Sequence, residues 1–376
     1  MKKYSELAEF YKGKKVLLTG HTGFKGSCMS LVLAGLGARV YGYALPAPTD
    51  PSLYETLPLG TFSESRMGDI RDFDALHDFY EEVQPEVVIH MAAQPIVRES
   101  YRIPRETFET NVMGTVNLLE CVRLSNRPVS FLNVTTDKVY LNEEKPGYRY
   151  REDDPLDGFD PYSNSKSCSE LATHSYAVSF LRETGSQIST ARAGNVIGGG
   201  DWAKDRLIPD ATRAFLRGEE TVLRNPSSVR PFQHVFEPVF MYLDIACEQA
   251  MDPAKQGWYN VGPEEKDCIT AGELAEKFRA YLSGAKSAKT NVSRQKEPHE
   301  AGLLMLDNAK IKKVFGWRPV WDIDDAVKAA AQYAESYKKS PEEAMAVLKD
   351  QLAAYVTAWE REAFDEKSKS DRFRIQ

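Results

Sequence analysis

The chain has 376 residues, 42% of them hydrophobic and 27% charged, the make-up of a globular protein long enough for two lobes and a sizeable core. A formal net charge of −7 offers no general attraction to nucleic acid or anionic lipid, so any phosphate must be held at a local site. The five cysteines, Cys28, Cys121, Cys168, Cys247 and Cys268, are odd in number, scattered and without a CxxC; they predict thiols in a reducing compartment, with neither a disulfide frame nor a metal centre.

The opening MKKYSELAEFYKGKK lacks the apolar core and cleavage site of a signal peptide, and CMSLVLAGLGARV is too short to span a bilayer. The expectation is a cytoplasmic protein with no membrane partner. KVLLTG predicts a first strand, residues 24–36 a helix stopped by Gly37, ARVYGYAL a second strand and ESRMGDI a third. FDALHDFYEEV follows as a helix, PEVVIHMAA as a strand, RETFETNVMGTVNLLECVRLS as one long helix, VSFLNV as a strand, and residues 162–182 as a helix. Strands that read as continuous apolar runs between helices predict an α/β fold: a Rossmann-type doubly wound parallel sheet covered on both faces.

The second half is less regular. TARAGNVIGGGDW reads as a strand entering a glycine-rich loop, with helices near 206–217, in VFEPVFMYLDIACEQAM and in TAGELAEKFRAYL. Residues 341–366 predict a long amphipathic helix, and KSKSDRFRIQ a frayed end. The division expected is a dinucleotide-binding domain over 1–190, rejoined by about 233–258, and a smaller mixed α/β substrate-binding lobe over most of 191–376. No repeat or low-complexity linker separates them, so the lobes should pack closely.

TGHTGFKG sets Gly20, Gly23 and Gly26 between the first strand and first helix, where a dinucleotide pyrophosphate needs backbone N–H groups free of side chains. His21, Thr22, Phe24 and Lys25 complete this loop; a turn that merely lets a helix pack closely is the plainer alternative. The second strand ends in GYALPAP, without the acid that grips an adenosine ribose, so His21 and Lys25 could suit NAD or NADP. Tyr162 and Lys166, four apart, share one helix face, and an ammonium beside a phenol favours the phenolate needed for a base. At the end of the fifth strand stand Thr135, Thr136, Asp137 and Lys138, an acid and an amine side by side that could otherwise be a surface turn.

The glycine loop, GDI (68–70), HMAAQ (90–94), Asn111, TTDK and Tyr162xxxLys166 together resemble the extended short-chain dehydrogenase/reductase family acting on nucleotide sugars, over nearly the whole chain. The resemblance implies NAD as cofactor, with Asp69 and Ile70 flanking adenine, Ala92, Ala93 and Gln94 along the nicotinamide side, and Asn111 and Thr135 also at the cofactor. The blocks APTDPSLYE, HMAAQPIVRESY, TDKVY, GFDPYSNSKSCSEL, RAGNVIGGGDWAKDRLIPD and RPFQHVFEP are similar to those of family members that dehydrate CDP-glucose, whereas LNEEKPGYRYRED departs from their pattern. That likeness implies Tyr162, Lys166 and Thr136 at C4 of the sugar, and Asp137 and Lys138 as acid and base of a dehydration. Asn195, Arg206 and Arg230 would hold the diphosphate and nucleoside, arginine suiting phosphate by its bidentate fork, with Asp201 and His234 as further candidates. His299 and Glu300 could touch the ribose or lie in a solvated loop. A homodimer or homotetramer is expected. The alternatives are dehydration of another nucleotide sugar, 4-epimerisation, and a catalytically silent NAD-binding protein.

Overall fold

The structure, a computed structural model, describes residues 1–287, 289–290 and 301–374. Helix α1 (Tyr4–Tyr11) precedes an alternation of β1 (Lys15–Thr19), α2 (Phe24–Gly35), β2 (Arg39–Ala44), β3 (Glu64–Met67), α3 (Phe73–Val83) and β4 (Val87–His90). Short helices α4 (Val97–Arg102) and α5 (Pro104–Phe108) lead to α6 (Gly114–Ser125), β5 (Ser130–Thr136), α7 (Pro161–Tyr176) and β6 (Gln187–Ala193). After α8 (Leu207–Arg217), the chain returns through α9 (Phe236–Met251) and β7 (Trp258–Val261). It then builds α10 (Ala271–Ala280), α11 (Ala309–Phe315), α12 (Ile323–Tyr337) and α13 (Pro341–Arg374).

The seven strands form one sheet in the order β7-β6-β5-β4-β1-β2-β3, every pair parallel. All residues of β4 and β5 are buried, as strands covered on both faces must be. Asp72 caps α3, its carboxylate accepting from the Ala75 N–H at 3.2 Å. The order reverses between β1 and β4, and a crevice opens there at the carboxyl ends of the strands.

Three expectations are corrected. The single helix predicted over 105–125 is interrupted by a wide π turn at Glu109–Met113, and that over 162–182 by another at Ala177–Leu181. The first inserts a residue that the helical period does not anticipate and swings Asn111 into the protein. Among the described residues the tail stays helical, α13 continuing to Arg374 with no glycine or proline after Pro341 to stop it; the last two residues of the expected frayed end lie outside the described residues.

In the second lobe, α8, α10 and α12 share an apolar core of Ile208, Phe215, Leu274, Phe278 and Val327. Small strand pairs border the crevice: Val196–Ile197 with Gln233–His234, and Val229–Pro231 with Cys268–Thr270. Behind the sheet, α9 is buried from Phe236 to Gln249. Both terminal helices cover it, tied by Tyr11 Oη donating to the Leu243 carbonyl and Trp359 Nε1 to the Lys2 carbonyl, each at 2.9 Å.

Candidate active site

The crevice is a cavity of about 1620 Å³ between the lobes, floored by the ends of β1, β4, β5 and β6. Its glycines have three different tasks. Gly20 turns with φ +74°, and a Cβ there would stand 2.6 Å from the Ala92 nitrogen. A Cβ at Gly26 would stand 2.2 Å from the Gly20 carbonyl, so this glycine lets α2 close onto the turn. Only Gly23, the residue before α2, leaves open space, its virtual Cβ meeting just the Gly20 carbonyl at 3.5 Å. With the Gly20 and Gly23 N–H groups donating to the Tyr43 and Gly20 carbonyls, it is the start of α2 that fits a pyrophosphate, Gly23 keeping the approach clear. Thr22, Phe24, Asp69, Ile70, Ala92 and Ala93 also line the crevice. Asp69 is already paired with Arg71, Nη2 to Oδ2 at 2.6 Å, which holds its carboxyl below the usual range.

Five residues expected at the cofactor have side chains engaged within the protein. The His21 ring turns away from the crevice to Ser65, 2.7 Å from Nε2, between Tyr54 and Phe62. Gly42 makes the room, since a Cβ there would lie 2.5 Å from the ring, and burial pushes His21 down to about 4, a neutral group with no charge for phosphate. Asn111 spends its amide inside the protein, accepting from the Gln94 N–H at 2.8 Å and donating to Ser165 Oγ at 2.9 Å. Gln94 likewise spends its side chain on Thr107 and the Ile96 N–H. Thr135 lines the crevice, but its hydroxyl donates to Glu170 at 2.5 Å. These residues position the site from behind. Lys25 also differs from expectation: its ammonium lies over the Tyr242 ring, 5.6 Å from the centroid, with Asp137, Lys166 and Arg206 as its electrostatic neighbours. Burial and the cations Arg206 and Lys166 push it down to about 7.

Thr136, Asp137, Lys138, Tyr162 and Lys166 do converge in the crevice. Strand β5 delivers the first three, and Asp160, accepting from Ser163 N–H at 3.0 Å, caps the helix that carries the other two. Asp137 is 1% exposed; Oδ1 accepts from Thr136 Oγ1 at 2.9 Å, while Oδ2 has no hydrogen-bond partner. Burial raises its pKa against the pull of Lys138. Burial also raises Tyr162 to about 12, opposed by the Thr136 hydroxyl and Arg206. Lys166 Nζ donates to the Val134 carbonyl at 3.2 Å, and burial lowers it to about 8.

Sequence reasoning missed the support beneath this group. One turn after Lys166, Glu170 takes a bidentate grip from Arg192 of β6, with Nη2–Oε2 at 2.6 Å and both side chains within a few per cent of full burial. Arg192 also donates to Tyr140 Oη at 2.7 Å and to the Glu152 carbonyl at 3.0 Å. Tyr140 in turn donates to Asn260 at 2.6 Å, so the divergent segment after β5 closes a buried polar array. The i,i+4 step from Lys166 to Glu170 was the available signal.

From the second lobe, Asn195, Asp201, Arg206 and Arg230 all line the crevice. Arg206 Nη1 pairs with Asp201 at 3.2 Å, and Arg230 Nη1 donates to the Val229 carbonyl at 2.9 Å. His234 does not join them: fully buried against Phe236 and Trp321, it is driven by desolvation to about 3, a core histidine. His299 and Glu300 lie outside the described residues.

The family model for GDP-mannose 4,6-dehydratase matches residues 17–330. A CDP-glucose 4,6-dehydratase of Salmonella typhimurium is 43% identical over 359 residues, 94% of this chain and 99% of that one. Among solved structures, the UDP-glucose 4-epimerase of Thermus thermophilus in complex with NAD superposes with a TM-score of 0.72 at 23% identity, over 87% of this chain and 99% of that one. The dTDP-glucose 4,6-dehydratase of Bacillus anthracis, also with NAD, gives 0.69 at 21% identity, over 88% and 99%.

Proposed function

The chain belongs to the GDP-mannose 4,6-dehydratase family, and from that membership we propose that it is a lyase converting CDP-D-glucose to CDP-4-keto-6-deoxy-D-glucose. The observation that carries this reading is the buried Asp137 next to Lys138, opening into the crevice beside Tyr162. A 4-epimerase only re-reduces a 4-keto sugar and needs no acid at C6; a dehydratase needs an acid and a base together.

The Gly20–Gly26 loop would hold NAD, which would supply reversible hydride storage to a reaction with no net redox change. Tyr162 removes the C4 hydroxyl proton, with the Lys166 ammonium and Thr136 hydroxyl favouring its phenolate. The 4-keto group acidifies C5; Lys138 takes that proton while Asp137 protonates the departing C6 hydroxyl. Arg206, Arg230 and Asn195 hold the diphosphate and nucleoside from the second lobe. Incubation with CDP-glucose should give a product lighter by one water, by mass spectrometry, with no lasting absorbance of reduced nicotinamide. Stoichiometric accumulation of the reduced form would instead mark a net dehydrogenase.

Five free thiols suit a reducing cytoplasm, and among the described residues no helix is long and apolar enough to cross a membrane. The outer face of α6, α7 and the turn after it exposes Leu124, Leu171, Val178 and Phe180, which supports self-association through this face. Light scattering should return at least a dimer's mass, and a Leu171→Glu/Phe180→Glu variant a smaller one; a native monomer would refute the oligomer.

A further inference from the structure

A buried chain of hydrogen bonds runs behind the crevice, and each bond in it has one workable direction. Thr19 ends β1, and its Oγ1 accepts from the backbone N–H groups of Met91 at 3.1 Å and Ala92 at 3.2 Å. Both of those residues line the crevice. The two bonds fill the acceptor places of the oxygen, so its own hydrogen goes to His90 Nδ1, 2.7 Å away. On the far side of the ring, Nε2 lies 3.0 Å from Thr115 Oγ1, whose hydrogen is given to the Asn111 carbonyl at 2.8 Å. Thr115 is left to accept, so Nε2 carries the ring proton.

The chain then reaches the helix that bears the catalytic pair. Ser169 Oγ accepts from Asn133 Nδ2 at 2.9 Å and donates to Thr115 Oγ1 at 3.0 Å, one turn after Lys166 on α7. A second branch leaves the π turn: Asn111 Nδ2 donates to Ser165 Oγ at 2.9 Å, and Ser165 to the Tyr162 carbonyl at 2.7 Å. Thr19, His90, Thr115, Ser165 and Ser169 are all fully buried. The other neutral tautomer would press a third donor onto Thr19 and leave its hydrogen without an acceptor; a doubly protonated ring would do the same. Desolvation and the Lys166 ammonium act in the same sense, pushing the ring down to about 3.

We propose that His90, fixed as the neutral Nε2–H tautomer, is a positioning residue that ties the Met91–Ala92 wall of the crevice to the helix bearing Tyr162 and Lys166. The imidazole accepts on one edge and donates on the other, so it joins two hydroxyls that each have a single role left. Moving the wall away from α7 would leave buried donors unpaired, a cost paid at every link. The role rests on the dehydratase reading, in which C4 of the sugar needs one spacing from the Tyr162 oxygen and from the wall where the cofactor is expected. His90 is absent from the crevice lining and acts only through the groups it holds.

The test joins a spectrum to kinetics, both on the NAD-loaded enzyme. With nitrogen-15-labelled histidine, long-range proton–nitrogen correlations should show a ring with bare Nδ1 and protonated Nε2, missing from His90→Gln and unchanged between about pH 5 and pH 9. Thr115→Val keeps the side-chain shape and removes the link to Nε2. Its kcat with CDP-glucose should fall about ten- to a hundredfold, the scale of a small misplacement, while KM stays within about twofold. Deuterium at C4 of the sugar should slow this variant more than it slows the native enzyme, and Thr115→Ser should restore native values. A His90 ring with protonated Nδ1, or one that titrates within that range, would overturn the tautomer. Native kcat in Thr115→Val, or a loss without a larger C4 isotope effect, would reduce the chain to scaffolding and overturn the positioning role. The dehydratase reading fails separately, on native enzyme that yields no dehydrated sugar, while the ring signals decide the tautomer on their own.

Discussion

Arg192→Met should lower the free energy of unfolding by about 3–5 kcal/mol, the cost of leaving one member of a buried ion pair uncompensated. Glu170 would remain at 5% exposure with only the Thr135 hydroxyl to satisfy it, and Tyr140 and the Glu152 carbonyl would lose their donor. Because β6, α7 and the segment after β5 meet at this guanidinium, the change should loosen the mutual placement of Tyr162–Lys166 and Asp137–Lys138 as well. The double variant Arg192→Met/Glu170→Leu, which removes both charges, should recover much of the loss. Urea unfolding followed by tryptophan fluorescence measures both. A single variant within about 1 kcal/mol of native would show that the pair is an expendable contact.

Lys138→Ala should reduce turnover by about 10²–10⁴-fold, the usual contribution of a positioned general base. The loss should fall on one step. In D₂O the variant should still form the 4-keto sugar transiently, seen as reduced nicotinamide absorbance, yet recovered sugar should carry no deuterium at C5 by NMR. Full C5 exchange in the variant would take the base role from Lys138 and pass it to Lys25, the amine over Tyr242 held near 7.

Periodicity made α3 legible to its ends, with apolar residues at Leu76, Phe79, Tyr80 and Val83 marking its buried face. That Asp137 and Tyr162 line one crevice was legible for a related reason, since a strand end and one helical turn fix where they must project. What the sequence could not convey was the direction of a side chain whose partner lies far away in the chain. His21 sits within the phosphate-loop motif, yet its rotamer is decided by the space at Gly42 and by Ser65. Asn111 depends on a π turn that no heptad or helical period encodes, and His234 on aromatic neighbours from α9 and the segment before α12. The second lobe was obscure because its strands are two or three residues long, too short for an alternation to register.

The main apolar core contains Leu7 and Tyr11 of the first helix, Val239 and Phe240 of α9, and Tyr355 and Trp359 of α13. A nascent chain that has already emerged through β6 still lacks β7, the helix behind the sheet and the two aromatic rings that cover it. At synthesis speeds of about 5–20 residues per second, that gap leaves the back of the sheet uncovered on the ribosome for roughly ten to thirty seconds. Early nucleotide-binding segments must therefore wait for the end of translation, and the chain should lean on chaperones during that interval more than a protein whose first half closes on itself.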